Sequence, residues 1–409
     1  MHPRFSLAAA AVATLFLQPA HAAAPADEGL IVVTATRQPM RHNELLTETT
    51  VIDREEISRA APLATLGDLL AHENGVETVT TGGPGAATSV HIRGASGGHT
   101  LLLVDGQRLG SATLGEPSIS RIPLDPIERV EILRGPASGL YGSDAIGGVI
   151  QVFTRPATAE GTTLSASAGV GSFNTREASA AIATQQGAVN ANLRVGALKT
   201  DGFNANSNPN SSAYFADEDG YKNVNASGSL GYRFAPEHEL SATVFYSSGE
   251  NQYDDAYLTF APFASHPDFD FRTRQKVGSA TVSSVNKLTG YWTSTLRLGE
   301  SYDESVNFDR PNHFSLFKTT QRQATWQNDF KLPVGKLLLA AERLEQKIDA
   351  SSTFALTERS IDSALAGWTG NFGPHRLQAN LRHDQNSQFG NKTTGNFGYG
   401  YQLSDDWRV

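Results

Sequence analysis

From Thr162 onward, runs of apolar residues alternate with polar or small ones, in Thr162–Gly171, Asn190–Leu198, Leu240–Tyr246, Leu288–Leu298, Leu377–Leu381 and Asn396–Leu403. A period of two puts every second side chain on one face of a strand. In a soluble sandwich that face turns inward and strands run about five or six residues; in an outer-membrane barrel it faces lipid and strands run ~9–11. Several runs, with their continuations, reach the longer length. Trp292, Trp326, Trp368, Tyr399 and Tyr401 lie within or near them, as an interfacial girdle requires. A secreted β-sandwich is the alternative that alternation alone leaves open.

The connections fit a barrel. Gln185–Ala188 and Ala235–His238 are short, whereas 201–221 and 249–274 are long, polar and aromatic; short turns face the periplasm and long loops the exterior. The long loops carry Asp217, Glu218 and Asp219, then Tyr253, Asp254, Asp255, Asp268 and Asp270. Oxygen-rich clusters of this kind hold Ca²⁺, although a solvated acidic loop is the commoner use.

Composition removes other classes. With 39% hydrophobic residues, 38 glycines and a mean hydropathy of -0.30, the chain is too polar for a helical membrane protein. It has no cysteine, hence no disulfide or thiolate chemistry. A formal charge of -9 argues against a nucleic-acid partner. His2 and Arg4, the apolar run Phe5–Leu17 and Ala20-His21-Ala22 read as a signal peptide, residues 1–22, cleaved after Ala22. Leu30, Ile31, Val32, Val33, Thr34 and Ala35 then form an extended run, suited to an edge strand or to docking on a partner's sheet.

Between the N-terminal run and the strands lies a small α+β unit. Asp53 with Glu56, and Thr65 with Asp68, predict capped helices, the second stopped by Gly75. Val76–Thr80 and Ser89–Arg93 read as strands, and Leu101–Leu109 as a hairpin turning at Asp105-Gly106. Gly94-Ala95-Ser96-Gly97-Gly98 matches a nucleophile elbow, but a strand follows where that elbow needs a helix, so no hydrolase is expected. Asp125, Pro126 and Glu128 predict a helix start, followed by a charged strand around Glu131 and then by a glycine-dense crossing. Gly135, Gly139, Gly142, Gly147 and Gly148 suit backbone passing close to a wall.

These residues together resemble the TonB-dependent outer-membrane receptors, and within them the branch that takes up cobalamin. The resemblance rests on Ile31–Arg37 (IVVTATR), Ile92-Arg93-Gly94, Leu103-Val104-Asp105-Gly106, Arg134-Gly135-Pro136, Tyr141–Gly148 and, for the cobalamin branch, Asp384–Gly390. It implies a mainly β fold: a small α+β plug followed by a transmembrane antiparallel β-barrel. The domains would be the signal peptide at 1–22, a docking segment and flexible lead at 23–45, a plug at 46–157 and barrel from 158 to 409. Residues 30–35 would dock TonB, driven by its inner-membrane energising proteins. Gly83, Ala87, Thr88, Ser89, Ser111 and Thr113 would meet ligand on the plug apices. Asp217, Asp219, Tyr253, Asp254 and Asp270 would hold Ca²⁺, although Asn204 stands where the family has an aspartate. Arg93 and Arg134 would pair with barrel glutamates. The resemblance implies location in a Gram-negative outer membrane, surrounded by its lipid, and no enzymatic activity. Cobalamin is the first expected substrate, a ferric siderophore or other metal chelate the alternative, and a passive or adhesive barrel the least favoured reading. Family barrels have 22 strands, whereas 158–409 leaves room for about twelve at ~20 residues each. The chain is therefore expected to be truncated or fragmentary and not to insert alone as a functional receptor, unless a second chain supplies the missing strands.

Overall fold

The computed structural model describes residues 31–60, 64–157, 160–211, 213–255, 271–310, 313–404, 407 and 409. The expected signal peptide, Leu30, Asp268 and Asp270 lie outside them.

The first unit contains β1 (Ile31–Val32), β2 (Met40–Arg41), β3 (Thr49–Ile52), α1 (Arg54–Ser58), α2 (Leu66–Leu70), β4 (Val76–Thr80) and β5 (Thr88–Ile92). It continues with β6 (Thr100–Val104), β7 (Gln107–Arg108), β8 (Ile127–Arg134), α3 (Ser138–Tyr141) and β9 (Gly148–Thr154). Five strands form a sheet in the order β3-β8-β9-β6-β7, with β6 and β9 parallel. The helix starts follow their caps. Asp53 accepts from Glu56 N at 2.9 Å, and Thr65 and Asp68 form a reciprocal capping box, each satisfying donors that the first turn cannot. Ile52, Leu66, Ile92, Ile132 and Ile150 are wholly buried around this sheet. Asp105 (φ 49°) and Gly106 (φ 82°) make the tight β6–β7 turn, since a two-residue hairpin of this type needs positive φ at both positions.

The helix expected from Asp125 does not form; β8 begins at Ile127 instead. This strand lies between β3 and β9 and buries Ile127, Val130 and Ile132 completely. Ladder bonds on both edges and β-branched packing outweigh one local cap. The Asp125 carboxylate takes Arg194 instead, at 3.2 Å.

Twelve further strands are β10 (Gly161–Gly171), β11 (Thr175–Gln186), β12 (Val189–Thr200), β13 (Tyr221–Ala235), β14 (His238–Tyr253) and β15 (Phe271–Thr289). They continue with β16 (Trp292–Arg310), β17 (His313–Leu332), β18 (Gly335–Ala350), β19 (Glu358–Phe372), β20 (His375–Asn386) and β21 (Gly390–Tyr401). Each pairs with its sequence neighbour in one 12-stranded antiparallel sheet, part of a barrel. The expected strand Leu288–Leu298 is two strands, because Thr289 pairs with Trp292 across Gly290-Tyr291. A Gly-Tyr turn carries none of the Asn-Gly or Asp-Gly signal that marks hairpins in sequence.

Burial in this sheet is the reverse of a soluble core. Leu164, Val170 and Phe397 point outward, exposed by 75%, 86% and 71%, while Asn223, Ser227, Ser301 and Thr319 are buried against the plug side. Such a sheet is stable when lipid, not water, meets its outer face, which removes the sandwich alternative. Among the described residues no helix is long and apolar enough to cross a membrane.

Candidate functional site

Two plug loops meet at the long-loop end. In the loop between β4 and β5, Gly85 has φ +76°, and a Cβ there would overlap the Tyr221 ring at the start of β13. Gly83 lies under Asp219, whose Cβ is 3.6 Å from where its own would stand. In the second loop Ser111 Oγ and Thr113 Oγ1 are 2.8 Å apart, and Ala112 N donates to Thr319 Oγ1 at 2.9 Å. Glu116, which sequence reasoning did not single out, joins the two: it accepts from Ser89 Oγ at 2.7 Å. Gly83, Ala87, Ser111 and Thr113 thus belong to two neighbouring loops at one end of the plug, with Thr88 and Ser89 at the start of β5 beside them.

The acidic loops are tied to backbone. Asp219 is buried and accepts from Ala205 N at 2.8 Å; Asp254 accepts from Phe215 N at 3.1 Å, linking the two long loops. Asn204 Oδ1 accepts from Asn206 N at 2.8 Å. Asp217 is exposed, and Tyr253 packs its ring near Phe271, centroids 5.8 Å apart. Among the described residues no three carboxylate, imidazole or thiol groups converge. Asp270 lies outside the described residues.

At the short-turn end the expected docking strand is folded away. Ile31 and Val32 pair with Arg41 and Met40, Val32 and Thr34 are fully buried, and Ile31 is 46% exposed. One carboxylate oxygen, Glu131 Oε2, accepts from Val33 N, Thr34 N and Thr34 Oγ1 at 3.0, 2.8 and 2.7 Å. Tyr141 OH donates to Thr34 O at 2.9 Å; burial pushes this phenol up, keeping it a donor. Arg37 then reaches the barrel, meeting Glu342 Oε1 at 2.6 Å. Arg382 meets the other oxygen of Glu342, also at 2.6 Å. Gln38 Nε2 donates to Asp329 at 2.7 Å. The signal for Glu131 was a charge amid Val130, Ile132 and Leu133; for Glu342 the sequence carries none.

Among the described residues Arg93 and Arg134 take their carboxylates from the plug. Arg93 meets Glu48, and Arg134, almost wholly buried, meets Glu73 at 3.3 Å and Glu48 at 3.7 Å. It also donates to Asn74 O at 2.7 Å. Arg134 ends β8 facing the turn after α2, so its counter-charges come from the plug. Among the described residues the ionic ties to the barrel are Arg37–Glu342, Arg121–Asp303 at 2.7 Å and Asp125–Arg194. The anticipated wall is likewise divided. A Cβ at Gly139 would crowd Asn396 and Gly395 of β21, whereas Gly147 and Gly148 face Ala95, Leu133 and Ile92 of the plug itself.

Segment 107–121 runs up the inner face of β16 and β17. A Cβ at Gly299 would overlap the Gln107 amide, Ser301 Oγ donates to Arg108 O at 2.5 Å, Gln321 Nε2 to Gly110 O at 3.0 Å, and Ser118 to Asp303. Below this seam, between the plug and β14–β17, is a cavity of about 700 Å³. It extends from Asp105-Gly106 and Arg297 past Arg37 to Lys331 and Lys336 beside the β17–β18 turn. Asp105 accepts from Thr154 N and Oγ1 at 2.9 and 2.8 Å; burial pushes its carboxyl up against those bonds.

A folded plug lying along the polar inner face of a lipid-facing antiparallel sheet defines the plugged outer-membrane barrels. Residues 41–149 match the TonB-dependent Receptor Plug Domain. It is 32% identical to the Vitamin B12 transporter BtuB of Photobacterium profundum over 99% of this chain and 64% of that protein. To the Vitamin B12 transporter BtuB of Vibrio cholerae it is 28% identical over 95% of this chain and 62% of the relative. The chain therefore spans a little under two thirds of these relatives. Among solved structures, the siderophore receptor PirA from Acinetobacter baumannii superposes with a TM-score of 0.72 at 19% identity, covering 87% of this chain and 59% of that one. The copper transporter OprC gives 0.68 at 15%, covering 88% and 62%. At these identities the solved structures speak to the fold.

Proposed function

We propose that this protein serves energised uptake of cobalamin across a Gram-negative outer membrane, with TonB docking on residues 30–35 after export through cleavage of residues 1–22. The observation that carries the substrate is the 32% identity to a Vitamin B12 transporter over 99% of the chain. The architecture supports the direction. Two loops with Gly83, Ala87, Ser111 and Thr113, and the start of β5 with Thr88 and Ser89, would receive ligand at the long-loop end, and the docking segment sits at the opposite end under Glu131 and Glu342. Strand addition needs free backbone donors and acceptors. Capture at the outer loops must therefore loosen Val33 and Thr34 before a partner can pair with them, with plug movement following. Calcium in this reading would draw on Asp219, Asp254 and Asp270; chelation weakening substrate capture would support it.

Equilibrium binding of cyanocobalamin to the detergent-folded protein, beside a ferric catecholate siderophore, tests the substrate. Saturable cyanocobalamin binding at ~1 μM or tighter with no siderophore binding is expected. The opposite preference would assign the protein to ferric chelates.

A further inference from the structure

We propose that Arg297 is an anion-binding station inside the plug–barrel cavity, taking a phosphate or carboxylate group of a solute in transit. The cavity is lined by five cationic side chains and three carboxylates, and the carboxylates are engaged. Glu342 is held by Arg37 and Arg382, Asp329 by Gln38 and Gln327, and Asp105 by Thr154. Of the arginines, Arg37 has Glu342 and Arg108 has Asp144 at 2.7 Å. Arg297 is the remaining one. Among the described residues its side chain makes one hydrogen bond, Nε to Ser283 Oγ at 3.4 Å, and no carboxylate lies within ion-pair distance.

Its guanidinium is nonetheless fixed. Nη1 lies where a Cβ of Gly106 would stand, so the glycine at the β6–β7 tip makes room for it and the plug closes over it. A guanidinium presents a planar fork of donors suited to two oxygens of one phosphate or carboxylate. Withdrawn from bulk water without a counter-charge, it is costly until an anion arrives. Lys331 and Lys336 continue the positive lining toward the short turns, which gives an anionic group a graded path from plug tip to periplasmic mouth. The transit role rests on the uptake reading above; the anion site does not.

Inorganic phosphate, titrated into the detergent-folded protein and followed by ³¹P line broadening, reads the site directly. Arg297→Gln should weaken phosphate binding by about tenfold or more, and Arg297→Lys, which keeps the charge but loses the planar fork, should recover only part of it. Equal binding by wild type and Arg297→Gln, or a folded Arg297→Lys as weak as Arg297→Gln, would overturn the site. Cyanocobalamin carries its own phosphodiester, so its uptake separates the sources of anion. Slower uptake by Arg297→Gln with unchanged binding at the outer loops supports transit past Arg297. Lost phosphate binding with unchanged uptake refutes the transit role and leaves a site for free phosphate. Arg297-dependent phosphate binding in a protein that takes up no cobalamin would refute the uptake reading and leave the anion site standing.

Discussion

Glu131→Leu should free the N-terminal segment from the plug. Glu131 is wholly buried, and one of its oxygens holds three donors of Val33 and Thr34. A hydrogen bond to a charged acceptor contributes ~1.5–3 kcal/mol, and an orphaned buried donor costs ~1–3 kcal/mol. Even with strong non-additivity, the loss should exceed ~4 kcal/mol, a shift of roughly a thousandfold toward the undocked segment. Leucine keeps the volume and supplies no acceptor, so the plug sheet should persist. Glu342→Gln acts on the same segment from the barrel, leaving Arg37 and Arg382 side by side without their shared counter-charge; breaking a buried pair in this way costs ~3–5 kcal/mol. The chain has no native cysteine, so a spin label at Ile31→Cys reports on one site. Narrow, mobile spectra are expected in both variants and a restricted one in the parent; restricted spectra throughout would refute this account of the segment.

Gly148→Val should prevent the plug from folding. Gly148 pairs with Thr100 on one side and Arg134 on the other. A Cβ there would overlap the backbone carbonyl of Leu133 and come within 2.7 Å of Ile92 Cδ1. Overpacking ordinarily costs ~1–3 kcal/mol where side chains can move, but here the obstruction is main chain in the central ladder, so the cost should exceed that range. Domain stabilities are ~5–15 kcal/mol. Limited proteolysis should therefore digest residues 46–157 in Gly148→Val while barrel strands stay protected. Gly290→Ala is the control: nothing stands within 4 Å of its Cβ. A protease-resistant plug in Gly148→Val would show that the β8–β9 ladder tolerates the displacement.

What could be read beforehand follows physical range. The caps at Asp53 and Thr65 and the Asp105-Gly106 turn are decided by neighbouring residues, and the sequence carries them plainly. The lipid-facing alternation is equally local, and it yielded the barrel class and the number of strands that 158–409 can hold. Asp125 failed because a local cap competed with two ladders supplied by residues far along the chain. For Arg134 the sequence says that a buried guanidinium needs a carboxylate, not which one. Glu342, 305 residues from Arg37, becomes visible only when the plug is seated. The ligand loops, the docking segment and calcium came from resemblance, and they await measurement.

The central claim is that an N-terminal strand, held under Glu131, is the handle through which uptake is energised. Thr34→Pro removes a backbone N–H from the middle of that strand and is incompatible with strand addition. Cyanocobalamin binding and accumulation should be measured side by side in cells expressing this protein with and without the substitution. Binding should stay within about twofold while accumulation falls to background, because proline removes the docking ladder without touching the outer loops. Undiminished accumulation in Thr34→Pro would contradict the claim.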